Sequence, residues 1–314
     1  MRNWIWIIVL ILTACTRHES DQAYQRVDFS KTVSEIEAPQ APSHARSLKV
    51  AVAAMISPKE TFVHYQELIR YVSNKAEVDT QLIQRKTYGE INELFAKGQL
   101  DLAFICSGPY ASGKESFSFR GLATPIIRGK PFYHSYLIVH KDAVYQRIED
   151  LRGRVFAFTD PESNTGALVP TFWISQLGET PKTFFKEIVY TYSHDNSILA
   201  VSRKLVEGAA VDGHKWDYYE NQDSVYTGQT RVIKKSDPFG SPPIVVSLLL
   251  QDALFEKLRS VIISMHTDPD GRRILDNLMI DRFSPIREEW YEPVRQMILK
   301  IRNSETVHGK AGKS

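Results

Sequence analysis

From residue 48 onward the chain alternates short apolar runs with longer segments whose apolar residues recur at helical spacing, and this alternation constrains the fold more than any other feature. Residues 48–54, 80–84, 100–105, 134–139, 154–158, 188–192, 209–211, 231–234 and 244–250 read as strands. Residues 62–75, 88–97, 253–266 and 288–302 read as helices, with Leu68, Ile69 and Val72 on the buried side of the first. Apolar runs this short, alternating with helical patterns, give an α/β fold with largely parallel strands. A chain of 314 residues, 43% hydrophobic and 24% charged, has enough apolar material for two lobes. A net charge of +2, evenly spread, argues against nucleic acid as a partner.

The strand-to-helix junctions share a chemistry. Thr87-Tyr-Gly-Glu90 and Ser57-Pro-Lys-Glu60 both fit a capping box, and Ser193-His-Asp-Asn-Ser197 supplies N-cap residues before an apolar-periodic segment. Most telling is Ser163-Asn-Thr-Gly166, small polar residues that follow the apolar run 154–158 and lead into a helix. The plain reading is a helix cap with a turn; the sharper one is an anion site, because the first N–H groups of a helix are unpaired and carry partial positive charge. In a parallel sheet these helix starts gather beyond the carboxyl ends of the strands, where open α/β folds bind ligands. Pro170 lies too early for a long regular helix, so the first turn after Thr165 is expected to be short or kinked.

The N-terminus points to export. Arg2 precedes the apolar run 4–12, too short to span a membrane as a mature helix, and residues 1–14 read as a signal peptide. Leu12-Thr-Ala-Cys15 resembles a bacterial lipobox, which implies lipid on Cys15 and attachment to the membrane. Residues 15–47 then form a flexible tether containing Ala38-Pro-Gln-Ala-Pro42, and residues 304–314 a disordered tail. With Cys15 lipidated, Cys106 has no second cysteine to pair with.

Three segments, in order and spacing, resemble the phosphate, phosphite and phosphonate-binding family of periplasmic solute-binding proteins: 100–110, 156–166, and 193–201 running on to Ala209-Ala-Val-Asp212. The resemblance implies a two-lobed type II periplasmic-binding fold with two crossing hinge segments, one lobe at 48–133 plus 240–303 and the other at 134–239. It implies a monomer without a cofactor that binds a small oxyanion and hands it to an ABC transporter permease. The implied grip is Ser163, Asn164, Thr165 and Gly166, with His194 facing the anion and Asp212 accepting from a protonated ligand oxygen. Ser57, Tyr88 and His134 (or its neighbour Tyr133) complete the implied set. Many phosphonate binders of the family carry an Asn-Asp pair where this chain has Phe239-Gly-Ser-Pro-Pro243, which removes one acidic partner for an amine-bearing ligand.

Other readings stand beside this one. Cys106 at a strand end is either a small buried hydrophobe or a thiol ligand; the second suits a periplasmic arsenite or arsenate sensor that signals to a membrane histidine kinase. Ser163, His194 and Asp195 carry no Gly-x-Ser-x-Gly elbow, so an enzyme is not expected. His194, Asp195, Asp212 and His214 match no standard zinc spacing, so no metal is expected. Trp216, Tyr218 and Tyr219 read as packing residues rather than a stacking platform.

Overall fold

We describe a computed structural model of the chain over residues 47–53, 55, 58–113, 116–222 and 224–311. The expected signal peptide, Cys15 with its tether, and Ser57 lie outside the described residues.

Among the described residues the strands form two large sheets and one small one. The first sheet contains β1 (Leu48–Val52), β2 (Thr80–Ile83), β3 (Leu102–Phe104) and β4 (Phe119–Ile126), joined late in the chain by β12 (Ile244–Ser247) and β13 (Arg282–Pro285), in the order β13-β4-β12-β3-β1-β2. The second contains β6 (Ser135–His140), β7 (Val155–Phe158), β8 (Glu187–Tyr190), β9 (Gly208–Asp212) and β10 (Thr230–Lys235), in the order β10-β6-β9-β7-β8. Each sheet has a parallel half, β2-β1-β3 or β8-β7-β9, completed by antiparallel strands. The two crossing segments, β5 (Phe132–Tyr133) and β11 (Phe239–Gly240), pair with each other antiparallel.

Period-two alternation explains why both faces of each sheet are covered. Val50, Val52, Leu102, Phe104, Ile244 and Val246 enter one core with Leu68 and Leu258. Their neighbours Ala51, Ala103 and Val245 point the other way, into a core with Ile91, Phe95 and Tyr110. The second sheet repeats this: Leu137, Phe156, Phe158 and Ala210 face one core, and Ile138, Ala157, Ala209 and Val211 the other. Each fully buried Val, Leu, Ile or Phe side chain among these contributes about 1.5 to 3 kcal/mol.

The C-terminus departs from expectation in two ways. Its helix, Glu292–Ala311, continues through most of the segment expected to be a disordered tail. Val294, Met297 and Ile301, spaced by three and four residues, bury themselves in the second sheet's core although the sequence assigns 240–303 to the first lobe. The helical pattern gives the buried stripe but not which sheet receives it.

Candidate functional site

The carboxyl ends of β1, β2 and β3 are followed by helices Pro58–Ala76, Tyr88–Ala96 and Ser107–Gly113, and those of β7, β8 and β9 by helical segments starting at Asn164, His194 and Gly213. The parallel halves therefore aim their helix starts at the space between the lobes.

The Ser163 turn is built by local chemistry. Ser163 Oγ accepts from Gly166 N at 3.1 Å, while Ala167 N and Leu168 N both donate to Ser163 O. The first turn, Asn164–Leu168, is a π-helix, which passes into the α-helix Val169–Ser175. Pro170 accounts for this widening, because it has no N–H to offer the carbonyls behind it. Those carbonyls are used elsewhere: Thr165 O accepts from Ser135 Oγ at 2.7 Å and Gly166 O from Thr159 N at 3.3 Å. Gly166 is required by closeness, since a Cβ there would lie 1.8 Å from Thr159 Oγ1.

Ser163, Asn164 and Thr165 are all fully buried. Among the described residues, Thr165 Oγ1, Asn164 Oδ1 and Tyr88 Oη have no hydrogen-bond partner. Leaving three buried polar atoms unpaired at one place is costly, and it marks groups shaped for a ligand. Asn164 Nδ2 donates to Tyr133 Oη at 3.1 Å; a 180° rotation of the amide exchanges the two ends and aims its NH2 at the same space. Burial holds the Tyr88 phenol well above its ordinary range, with Cys106 and Asp160 adding to the effect, so it is a neutral donor.

The first lobe closes directly on this turn. Tyr88 N donates to Asp160 Oδ2 at 3.0 Å, Asn92 Nδ2 to Glu162 Oε2 at 2.7 Å, and His194 N to Met55 O at 3.2 Å. Gly108 approaches so closely that a Cβ would lie 2.3 Å from Glu162 O. Tyr133, on the crossing segment, bonds both Ser107 Oγ and the Asn164 amide and so ties hinge to grip. His134 is placed differently: its Nδ1 lies 2.7 Å from Ser236 O, engaged with the backbone near the other crossing segment.

His194 and Asp212 form the far wall, both buried. Asp212 N donates to His194 Nδ1 at 3.1 Å, which leaves the proton of the neutral ring on Nε2. Asp212 Oδ1 accepts from His214 N at 2.7 Å and Lys215 N at 3.3 Å, starting the helix Gly213–Gln222. Asp212 pairs across the sheet with Ser135, the residue that holds Thr165 O, so the wall and the grip share a support.

Burial lowers the His194 pKa to about 4 against a smaller raising effect from Asp212. At neutral pH the ring is therefore uncharged and offers a single donor. Its folded value lies below its unfolded one, so the stability it confers is complete above pH 6.5 and is lost as pH falls toward about 4. That span corresponds to on the order of 3 kcal/mol. Imidazole nitrogen shifts measured by NMR should keep the Nε2–H form from pH 8 to below pH 6, and the melting temperature should decline between pH 6.5 and 4. His194→Gln, which retains an acceptor for Asp212 N–H, should reduce that decline; full titration of the ring near its ordinary 6.5 would contradict the assignment.

Cys106 is packed in the first core, and burial pushes its thiol up to about 11 despite backbone N–H groups from Gly108 and Asn164 that point at it. It is a thiol, not a thiolate, at neutral pH. Ser163 Oγ accepts from Gly166 N and His194 Nδ1 from Asp212 N, so these contacts do not join the two as nucleophile and base. Trp216 packs at 6.0 Å from Tyr136 and bonds Thr230, while Tyr218 lines a cavity between the lobes. Sequence reasoning did not single out Ser107, Ser135, Thr159, Asp160 or Lys215, whose roles arise from tertiary approach rather than from a local pattern.

Two sheets with matching parallel halves, two paired crossings and a buried polar turn between the lobes define a type II periplasmic-binding protein. The profile of the family described as "ABC transporter, phosphonate, periplasmic substrate-binding protein" matches residues 50–291, and the chain belongs to that family. It is 27% identical over 175 residues to the phosphonates-binding periplasmic protein of Escherichia coli, a stretch covering 54% of this chain and only about half, 52%, of that protein. It is 22% identical over 267 residues to the phosphate-import protein PhnD of Mycolicibacterium smegmatis, covering 81% of this chain and 78% of that protein. Its fold is similar to a binding protein component of an ABC phosphonate transporter from Pseudomonas aeruginosa, with a TM-score of 0.78, 21% identity, and 83% and 88% of the two chains covered. It is likewise similar to PhnD1 of Prochlorococcus marinus in complex with methylphosphonate, with a TM-score of 0.74, 18% identity, and 82% and 98% covered.

Proposed function

We propose that this chain captures a small tetrahedral phosphorus oxyanion, a phosphonate, phosphite or phosphate, between its lobes in the periplasm and delivers it to the permease of an ABC importer. The observation that carries this reading is the set of unpartnered buried groups, Thr165 Oγ1, the Asn164 amide and Tyr88 Oη, gathered around the Ser163 turn and completed by the His194 Nε2 donor. These are neutral donors in a water-poor site, which bind an oxyanion through hydrogen bonds and helix-start dipoles. Asp212 supplies an acceptor for a ligand oxygen that keeps its proton. The names of the relatives, which include both phosphonates and phosphate, support the ligand class. The Cys106 thiol, buried and protonated, lends no support to an arsenic sensor.

Titration calorimetry of the full chain, stripped of carried-over ligand, should give saturable heat at one ligand per chain with at least one of methylphosphonate, phosphite and phosphate. Heat from none of them would contradict the reading. Thr165→Val, which keeps the shape and removes the hydroxyl, should weaken binding by about 1.5 to 3 kcal/mol, roughly 10- to 150-fold. The same calorimetry checks it, and unchanged affinity would move the grip elsewhere.

Attachment to the membrane through lipid on Cys15 belongs to the same proposal, supported by Arg2, the apolar run 4–12 and Leu12-Thr-Ala-Cys15. In a bacterial host, Cys15→Ser protein should leave the detergent phase for the aqueous phase. Equal partition of variant and parent would remove the anchor from the account.

A further inference from the structure

Beside the His194–Asp212 wall lies a cavity of about 70 Å³ between the lobes. It begins one residue from the imidazole, because Asp212 both lines it and holds His194 Nδ1. Met55, Phe104, Pro242 and Ile280 give it apolar walls suited to a methylene arm, and its charges come from Asp212, Lys215, Arg128 and Asp217.

Those four charges are not equally available. Arg128 and Asp217 pair with each other at 2.6 Å, bridging the lobes at the cavity rim. Asp212 Oδ1 is taken by two backbone N–H groups, which offset part of its charge. Lys215 differs: among the described residues no carboxylate lies within ion-pair distance of its ammonium, which sits 6.0 Å from the centre of the Tyr65 ring. Burial pulls its pKa down, but Tyr65 and Asp212 outweigh burial and keep it raised, so the group is charged. A charged ammonium that bonds the neutral Tyr65 hydroxyl but pairs with no carboxylate among the described residues favours an anion in a partly desolvated cavity and disfavours a second cation.

We propose that this cavity receives the organic arm of a phosphonate and that Lys215 selects arms bearing a carboxylate over arms bearing an amine. The inference rests on the oxyanion reading above and adds to it the chemistry of the substituent. Charge complementarity accounts for both halves of the selection, since a carboxylate meets a cation whose hydrogen-bond partner, Tyr65, is neutral, whereas an amine meets a like charge beside carboxylates already bonded or paired.

The test measures affinities of the full chain for phosphonoacetate, 2-aminoethylphosphonate and methylphosphonate by calorimetry, in wild type, Lys215→Met and Lys215→Arg. Wild type should prefer phosphonoacetate over 2-aminoethylphosphonate by at least about tenfold, a difference of about 1.4 kcal/mol. Lys215→Met should shrink the gap below about threefold while methylphosphonate affinity changes little, and Lys215→Arg should retain the preference. Should Lys215→Met fail to fold, the wild-type ranking and the Arg variant decide alone. Equal or tighter binding of the amine, or an unchanged preference in folded Lys215→Met, overturns the inference while methylphosphonate binding keeps the oxyanion reading intact. Absence of binding by all three ligands and by phosphate overturns both.

Discussion

Gly108→Ala should lower affinity for a phosphorus oxyanion by about 100-fold while leaving the ligand-free protein as stable as the parent. Gly108 belongs to the first lobe and Glu162 to the second, yet an added Cβ would lie 2.3 Å from Glu162 O and 3.1 Å from Asn164 N. Backbone cannot yield as a flexible side chain can, so the methyl group holds the lobes apart. Overpacking of this kind costs about 1 to 3 kcal/mol, and a contact this short belongs at the upper end. The cost falls only on the closed state, because an open molecule separates the two residues. Affinity for a ligand that requires closure drops by the same factor as the population of closed molecules. Calorimetry gives the affinity, small-angle scattering reports whether ligand still contracts the molecule, and a thermal melt without ligand checks stability. Wild-type affinity would mean that this approach of the lobes is not the ligand-bound arrangement.

Gly166→Ala should act differently, damaging the second lobe itself. The added Cβ would lie 1.8 Å from Thr159 Oγ1 and 2.8 Å from Thr159 Cβ, and Thr159 is fully buried. We expect a loss of about 2 to 3 kcal/mol of stability together with loss of oxyanion binding, because the turn cannot keep its shape. Thr159→Ala supplies the control. Among the described residues Thr159 Oγ1 has no hydrogen-bond partner, so its removal leaves no other group unsatisfied; it takes away the 1.8 Å contact and the Cγ2 contact but leaves Thr159 Cβ at 2.8 Å, so the clash is relieved only in part. The double variant should regain part of the lost melting temperature, and failure to regain any would mean that the clash with the Thr159 hydroxyl and methyl is not the cause.

The contrast between these glycines illustrates what the sequence makes legible. Ser163-Asn-Thr-Gly166 reads as a helix cap or as an anion-binding turn, and the convergence of several helix starts on one side of the sheet favours the second. Thr87 forms the capping box its spacing predicts, and Ser193 Oγ accepts from Asn196 N as an N-cap should. The inner parallel strands β1, β3, β7 and β9 are visible because burial on both faces makes them nearly continuous apolar runs. Strands β4 and β13 are not, since Gly121 and Pro125 interrupt one and the other is only Arg-Phe-Ser-Pro at a sheet edge. Pro170 signals an irregular turn, but its π form depends on Ser135 and Thr159 arriving to take the freed carbonyls. The tautomer of His194 depends on a backbone N–H eighteen positions away, and the choice of Tyr133 over its neighbour His134 as the link to the grip depends on which side of the crossing strand faces Asn164. Gly108 sits in an unremarkable Ser-Gly-Pro-Tyr stretch, and only the opposing lobe gives it a role.

The central claim is that one phosphorus oxyanion is held by the Ser163 turn, Tyr88 and His194 between closed lobes. A crystal structure of the chain grown with methylphosphonate tests it most directly. The account predicts ligand oxygens within hydrogen-bond distance of Thr165 Oγ1, the Asn164 amide, Tyr88 Oη and His194 Nε2, with the methyl group directed toward the cavity beside Asp212. An anion bound elsewhere, with those four groups still without ligand contact in the closed molecule, would contradict it.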